Sequence, residues 1–71
     1  MTKNTLSVKI GKRIKSLREA KGLTIEKLAY ENSLAKGNLS EIEKGDIDPK
    51  LSTLARIADG LGIGLKDLFD F

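Results

Sequence analysis

The fold is decided by residues 23–45, LTIEKLAYENSLAKGNLSEIEKG. This stretch holds two helix-length pieces. The first opens after Thr24, a favourable N-cap residue, and the second covers residues 36–44 and stops at Gly45. Only residues 32–35 join them, and so short a connection cannot return the chain for antiparallel packing. The two helices are therefore expected to cross steeply, which is the geometry of a helix-turn-helix.

The sequence on either side of this stretch predicts further helices. We expect them over residues 6–21, 51–61 and 65–69. In the first of these, Ile10, Ile14 and Leu17 recur at i, i+4 and i+7, a stripe that faces a core. Pro49 disfavours helix in the residue before it and predicts a loop there. Because alternating strand patterns are absent, the expected fold class is all-α, a compact bundle of five helices.

The length and composition restrict the function. A chain of 71 residues, 39% of them hydrophobic, can form one core without a buried catalytic cavity, so we expect a single domain over residues 1–71, with residues 1–5 flexible. Histidine and cysteine are absent, which removes the commonest general base and the usual transition-metal ligands. We therefore expect neither an enzyme nor a cofactor or metal. No apolar run reaches membrane-spanning length, so we expect a cytoplasmic protein without membrane contact.

The formal net charge of +3 is distributed unevenly along the chain. Residues 1–22 hold seven Lys and Arg against Glu19 alone, whereas residues 23–71 hold six against nine Asp and Glu. A basic first third can attract a polyanion, but the same pattern is typical of a solvated helix face. Charge alone favours the second interpretation.

A family pattern extends over about residues 8–69. It comprises Ile10–Ile14, Leu17, Arg18 and Gly22, then Leu23–Ala29, Leu39–Gly45 and Pro49, and finally Leu54, Ile57, Ala58, Leu61 and Gly62. This spacing resembles the helix-turn-helix family of phage Cro/repressor and Xre-type regulators. By size alone, the chain also resembles the controller proteins of restriction–modification systems. The resemblance implies a lambda-repressor-like domain and a small transcriptional regulator that binds double-stranded DNA sequence-specifically.

In that family the second helix of the motif lies in the major groove. Carried over by position, the base-reading residues are Lys36, Gly37, Ser40 and Glu41, with Asn38 at the edge. Lys36 can donate to guanine O6 and N7, and Glu41 can accept from a cytosine amino group. Gly37 would let the helix backbone approach the bases closely. The alternative interpretation is a polar, solvated helix face.

The resemblance also implies contacts that position the protein without reading sequence. The expected phosphate contacts are Lys44, Lys50 and the backbone amides that open the first motif helix at Thr24 and Ile25. Arg18 and Glu43 occupy the positions that the family uses for an ion pair between its first helix and the base-reading helix. We interpret this pair as structural.

Three positions depart from the family pattern. Ile25 stands in place of a phosphate-contacting glutamine, and Ser33 replaces the turn glycine, after Asn32, a residue that tolerates a left-handed conformation. Ala35 replaces the usual Ser or Thr cap, which costs the base-reading helix about 1 kcal/mol. Residues 24–45 also carry more acidic than basic side chains. We therefore expect a single subunit to bind DNA weakly.

Residues 63–71 form the candidate dimerisation element. Ile63, Phe69 and Phe71 can meet a two-fold mate, as the family's last helix does, or Phe69 can belong to the core while Phe71 frays. A symmetric homodimer would read a palindromic operator with half-sites about 34 Å apart. The competing function is a protein-interaction module, or an antitoxin with a toxin partner, that keeps the fold with weak or no independent DNA reading.

Overall fold

The computed structural model describes residues 5–71, which form five helices and no strand. They are α1 Thr5–Ala20, α2 Ile25–Glu31, α3 Lys36–Lys44, α4 Leu51–Leu61 and α5 Leu65–Leu68. The predicted all-α, five-helix architecture is confirmed. The bounds of α3 and α4 match the prediction, whereas α1 begins and ends one residue earlier and α5 ends one residue earlier. Residues 1–4 of the segment predicted to be flexible lie outside the described residues, and Thr5 is the first residue of α1.

Each of the five helices buries one of its faces in a single hydrophobic core. Its buried members are Ile10, Ile14, Leu28, Ala29, Leu39, Ile42, Leu54, Ile57, Ala58, Leu61 and Leu68. A helix as short as α5 is unstable alone, so its stability depends on burying Leu68, which is 0% exposed. None of the helices within residues 5–71 is long and apolar enough to cross a membrane.

The two motif helices begin with different caps. The Thr24 hydroxyl accepts a hydrogen bond from the Lys27 backbone amide at 3.0 Å, as a good N-cap does. Ala35 caps α3 without a side-chain hydrogen bond. Because α3 lacks this contribution, it depends on packing of Leu39 and Ile42, each 1% exposed.

In the turn between α2 and α3, the backbone of Ser33 adopts the left-handed conformation. Ser33 has φ 57°, the single positive φ at a non-glycine residue in the described chain. The preceding Asn32, which tolerates this conformation better, has φ −122° instead and donates its Nδ2 hydrogen to the Leu28 carbonyl at 2.8 Å. An L-residue in this region is strained by roughly 1–2 kcal/mol, so this turn lowers the stability of the domain.

Helices α1 and α3 cross at Gly11. A Cβ atom at this position would lie 2.3 Å from the Ile42 carbonyl oxygen and 2.8 Å from that of Glu43. Both of these are backbone atoms, so they could give way only if α3 moved. The missing side chain therefore sets the distance between the two helices.

A buried ion pair between Arg18 and Glu43 ties the same two helices together. Arg18 donates from Nε to Glu43 Oε2 at 2.7 Å and from Nη2 to Oε1 at 3.0 Å. Its Nη1 donates to the Leu23 carbonyl at 2.7 Å, in the turn that leads to α2. Both charged residues are 8% exposed, and the hydrogen bonds to Glu43 raise the pKa of Arg18 above its ordinary value. One guanidinium thus holds α1, α3 and the α1–α2 turn.

We expect Arg18→Ala to destabilise the domain strongly, because it leaves the Glu43 carboxylate buried without its partner. Such a loss costs about 3–5 kcal/mol, which in a domain of this size lowers the Tm by about 12 °C or more. Thermal unfolding followed by circular dichroism measures the change. The control is Lys36→Ala, which removes an ion pair with Glu26 whose side chains are both 62% exposed, and which should leave the Tm nearly unchanged because water screens the pair. Equal melting temperatures for the two variants would contradict the prediction.

Candidate nucleic-acid interface

Helix α3 presents the predicted base-reading residues on its solvent side. Leu39 and Ile42 face the core, and Glu43 is held by Arg18. Among the predicted residues, Lys36, Gly37, Asn38 and Glu41 are exposed and Ser40 is half-buried. A rigidly held helix with a polar outer face can enter the major groove of B-DNA, which is about 12 Å wide.

Gly37 differs from Gly11 in that the fold does not require a glycine there. A Cβ atom at Gly37 would have no neighbour within 4 Å, so α3 has space for a side chain. Alanine would also favour the helix by about 1 kcal/mol. Packing within one subunit therefore gives no reason for a glycine at this exposed position.

Lys36 is engaged with an acidic residue of the other motif helix. Its Nζ lies 2.8 Å from Glu26 Oε2, and both side chains are 62% exposed. The pKa of this carboxyl group is lowered below its ordinary value. The largest cause is the hydrogen bond from Lys36, and the next is a hydrogen bond from the backbone amide of Glu26 itself. Sequence reasoning missed the role of Glu26, because residues ten apart on two helices meet only at a particular crossing geometry.

A groove of about 230 Å³ lies beside the end of α3. It is lined by Lys15, Arg18, Ile25, Ser40, Glu43 and Lys44. The groove brings together Ile25 and Lys44, which were both predicted to contact phosphate. It adds Lys15 of α1, which the sequence analysis did not single out. Since the charges of Arg18 and Glu43 offset each other, the two lysines give the groove a positive charge.

Lys50, the remaining predicted phosphate contact, lies elsewhere. It is the exposed N-cap residue of α4 and does not line the groove around Lys44. Thr24 is exposed, and its hydroxyl is occupied by the Lys27 amide. Of the predicted phosphate contacts, Ile25 and Lys44 therefore line the groove, whereas Thr24 and Lys50 cap the starts of α2 and α4.

The C-terminal segment carries exposed aromatic side chains. Phe69 is 39% and Phe71 is 55% exposed, with ring centroids 6.4 Å apart, whereas Ile63 is half-buried against the core. The segment is anchored by Arg13, whose Nη2 donates to the Asp67 carbonyl at 3.0 Å. Of the three residues predicted for a dimer interface, the two phenylalanines are thus the more available.

An apolar groove extends this surface beyond the C-terminal segment. The groove has a volume of about 250 Å³ and is lined by Leu6, Ser7, Ile10, Asp48, Pro49, Leu51, Leu54 and Phe69. Leu6 is 55% and Leu51 is 70% exposed. Sequence reasoning missed these two leucines, because they lie at the starts of α1 and α4 and meet Phe69 only in the folded chain.

Comparison with known proteins reveals relatives over nearly the whole chain. The control protein C.BamHI of Bacillus amyloliquefaciens is 33% identical over 69 residues, 96% of this chain and 85% of that protein. The immunity repressor protein of Bacillus phage phi105 is 41% identical over 54 residues, 76% of this chain. The alignment covers only 38% of the repressor's own length.

The fold also matches solved structures of controller proteins. The restriction–modification controller protein C.Esp1396I, solved as a tetramer in complex with its natural 35 base-pair operator, superposes with a TM-score of 0.86. The two chains are 31% identical, and the match covers 94% of this chain and 88% of that chain. The family model described as a helix-turn-helix domain matches residues 11–70. The resemblance seen in the sequence is confirmed, and the chain belongs to the helix-turn-helix domain family.

Proposed function

We propose that this protein is a small transcriptional regulator that binds double-stranded DNA and reads a palindromic operator as a homodimer. The observation that carries the proposal is the placement of α3. Its inner residues are buried, and Glu43 is locked by Arg18, while Lys36 and Glu41 project into solvent. The controller protein C.Esp1396I, bound to its operator, has the same fold. A regulator of this kind acts on DNA in the cytoplasm and catalyses no reaction.

In this proposal the exposed face of α3 reads base edges. Lys36 donates to guanine O6 and N7, Glu41 accepts from a cytosine amino group, and Ser40 hydrogen bonds to either kind of base. Asn38 lies at the edge of the contact. Gly37 lets the α3 backbone approach the bases, which gives the exposed glycine a function that packing does not.

Phosphate contacts fix the register of the helix in the groove. Lys15 and Lys44 flank one groove beside the half-buried Ser40, so a backbone passing α3 there would meet both ammonium groups. We add Lys15 to the predicted contacts at Thr24, Ile25, Lys44 and Lys50. Each phosphate that the protein neutralises steepens the slope of log affinity against log salt concentration by about 0.9.

Dimerisation would supply the affinity that one subunit lacks. The exposed ring of Phe69 lies beside Leu6 and Leu51, and the ring of Phe71 lies 6.4 Å from that of Phe69 between centroids. Together they offer apolar surface that a second copy can cover. Ile63, predicted for the same interface, is half-buried against the core and would offer less of its side chain to a second copy.

A second candidate function is a protein-interaction module or an antitoxin. The observation in its favour is that Lys36, the proposed reader of guanine, is paired with Glu26. A module of this kind would retain the fold without binding random duplex DNA, even at low salt.

Selection of bound sequences from random duplex DNA tests the proposed function directly. We expect enrichment of two inverted half-sites whose centres are about 34 Å apart, one helical turn of DNA. The control is the double variant Ser40→Ala/Glu41→Ala, which keeps the core intact and should lose the half-site preference. Absence of enrichment, together with no binding to random duplex at low salt, would favour the protein-interaction module.

We expect Gly37→Ala to change stability and DNA affinity in opposite directions. The free protein should become more stable by about 0.5–1 kcal/mol, because alanine favours helix and its methyl group meets no neighbour. The same methyl group would hold α3 away from the bases and lower operator affinity roughly tenfold, about 1.4 kcal/mol. Thermal unfolding and fluorescence anisotropy measure the two effects on one sample. If Gly37→Ala binds the operator as tightly as the wild type does, Gly37 does not lie in the interface with DNA.

We expect Phe71→Ser to weaken the homodimer at least tenfold without unfolding the subunit, because the ring is exposed and aromatic side chains dominate such contacts. Sedimentation equilibrium over a range of concentrations measures the dimer dissociation constant. The matched control is Tyr30→Ser on α2, which removes an aromatic ring that is 88% exposed and lies outside the proposed interface. If the two variants dimerise equally well, Phe71 does not contribute to the interface.

A further inference from the structure

The ion pair between Glu26 and Lys36 spans the motif from α2 to α3. Lys36 is the first residue of α3, and Glu26 lies in the first turn of α2. Their charged atoms are 2.8 Å apart, so the ammonium group that would bind DNA is already bound to a carboxylate of its own chain.

The Glu26 carboxylate accepts hydrogen bonds from two donors. One is the Lys36 ammonium and the other is the backbone amide of Glu26 itself, and both lower the pKa of the carboxyl group. The carboxylate therefore stays ionised at neutral pH. It binds the Lys36 ammonium group, to which an approaching phosphate or guanine could otherwise bind.

Both side chains are more than half exposed, so water screens the pair and DNA can displace it. Displacement lowers the affinity of a subunit for any duplex, because Lys36 must give up one anion to gain another.

We propose, on the basis of the function given above, that Glu26 is an affinity-setting residue that competes with DNA for Lys36. It acts through Lys36, so that the charge of Glu26 matters little once Lys36 is removed. The competition weakens the DNA binding of every subunit equally.

The test is a set of variants measured against two DNA probes, a random-sequence duplex and the operator selected above. We expect Glu26→Gln to bind both probes three- to tenfold more tightly at low salt. On the random duplex its log–log salt slope should rise by about 0.9, because the released Lys36 neutralises one further phosphate. The charge-matched control is Glu31→Gln, at the exposed far end of the same helix, which should change neither quantity.

A double-mutant cycle with Lys36→Gln separates competition for the lysine from simple repulsion of DNA by Glu26. In the Lys36→Gln background, Glu26→Gln should produce no further gain in affinity or salt slope. A full gain in that background overturns the proposal, since Glu26 would then act on DNA directly.

The remaining outcomes distinguish this inference from the proposed function. If the wild type binds the operator but Glu26→Gln behaves like Glu31→Gln, the inference is wrong and the regulator function stands. If the wild type and all variants fail to bind either duplex at low salt, the proposed function itself is wrong, and the inference falls with it. Equal melting temperatures of wild type and Glu26→Gln establish that the comparison concerns folded protein.

Discussion

The position of α3, the proposed base-reading helix, depends on one buried guanidinium. Arg18 binds both carboxylate oxygens of Glu43 and the carbonyl of Leu23, so it fixes the end of α3 relative to α1 and to the turn that starts α2. Burying two charges costs solvation energy that their attraction only roughly offsets. The contact therefore contributes more to the geometry of the motif than to the net stability of the domain.

Gly11 is a second constraint on the same helix pair, two turns before Arg18. Its missing Cβ brings the α1 backbone against the carbonyl oxygens of Ile42 and Glu43. Together the two contacts hold the C-terminal half of α3 from one side, while the core holds Leu39 and Ile42. A helix fixed in this way loses little conformational freedom when it meets a groove, which reduces the entropic cost of association.

The fold could be predicted from the sequence wherever a signal is local. Gly45 and Gly62 stop α3 and α4 at the predicted residues, each in a left-handed conformation. The apolar stripes face the core as expected, with Leu17 of α1 only half-buried. Features that depend on helix crossing could not be predicted. Gly60 is one example: helix propensity alone indicates only that a glycine weakens α4, but a Cβ there would lie 2.3 Å from Asn32 Nδ2 and 2.7 Å from Leu28 Cδ1. The glycine lowers the helix propensity of α4, but its missing side chain permits close packing of α2 on α4.

In the candidate site, too, some residues could be predicted from local sequence patterns and others could not. The face of α3 that carries Gly37 and Glu41 follows from helical periodicity, because Leu39 and Ile42 must face the core. Lys15 and Glu26 could not be assigned from periodicity, since each acquires its place by lying next to another helix. These two residues act in opposite directions, because Lys15 adds positive charge beside Ser40 whereas Glu26 neutralises Lys36. In the proposed function a single base-reading face would thus be weak, and two faces in the proposed dimer would bind DNA with a combined strength that neither has alone.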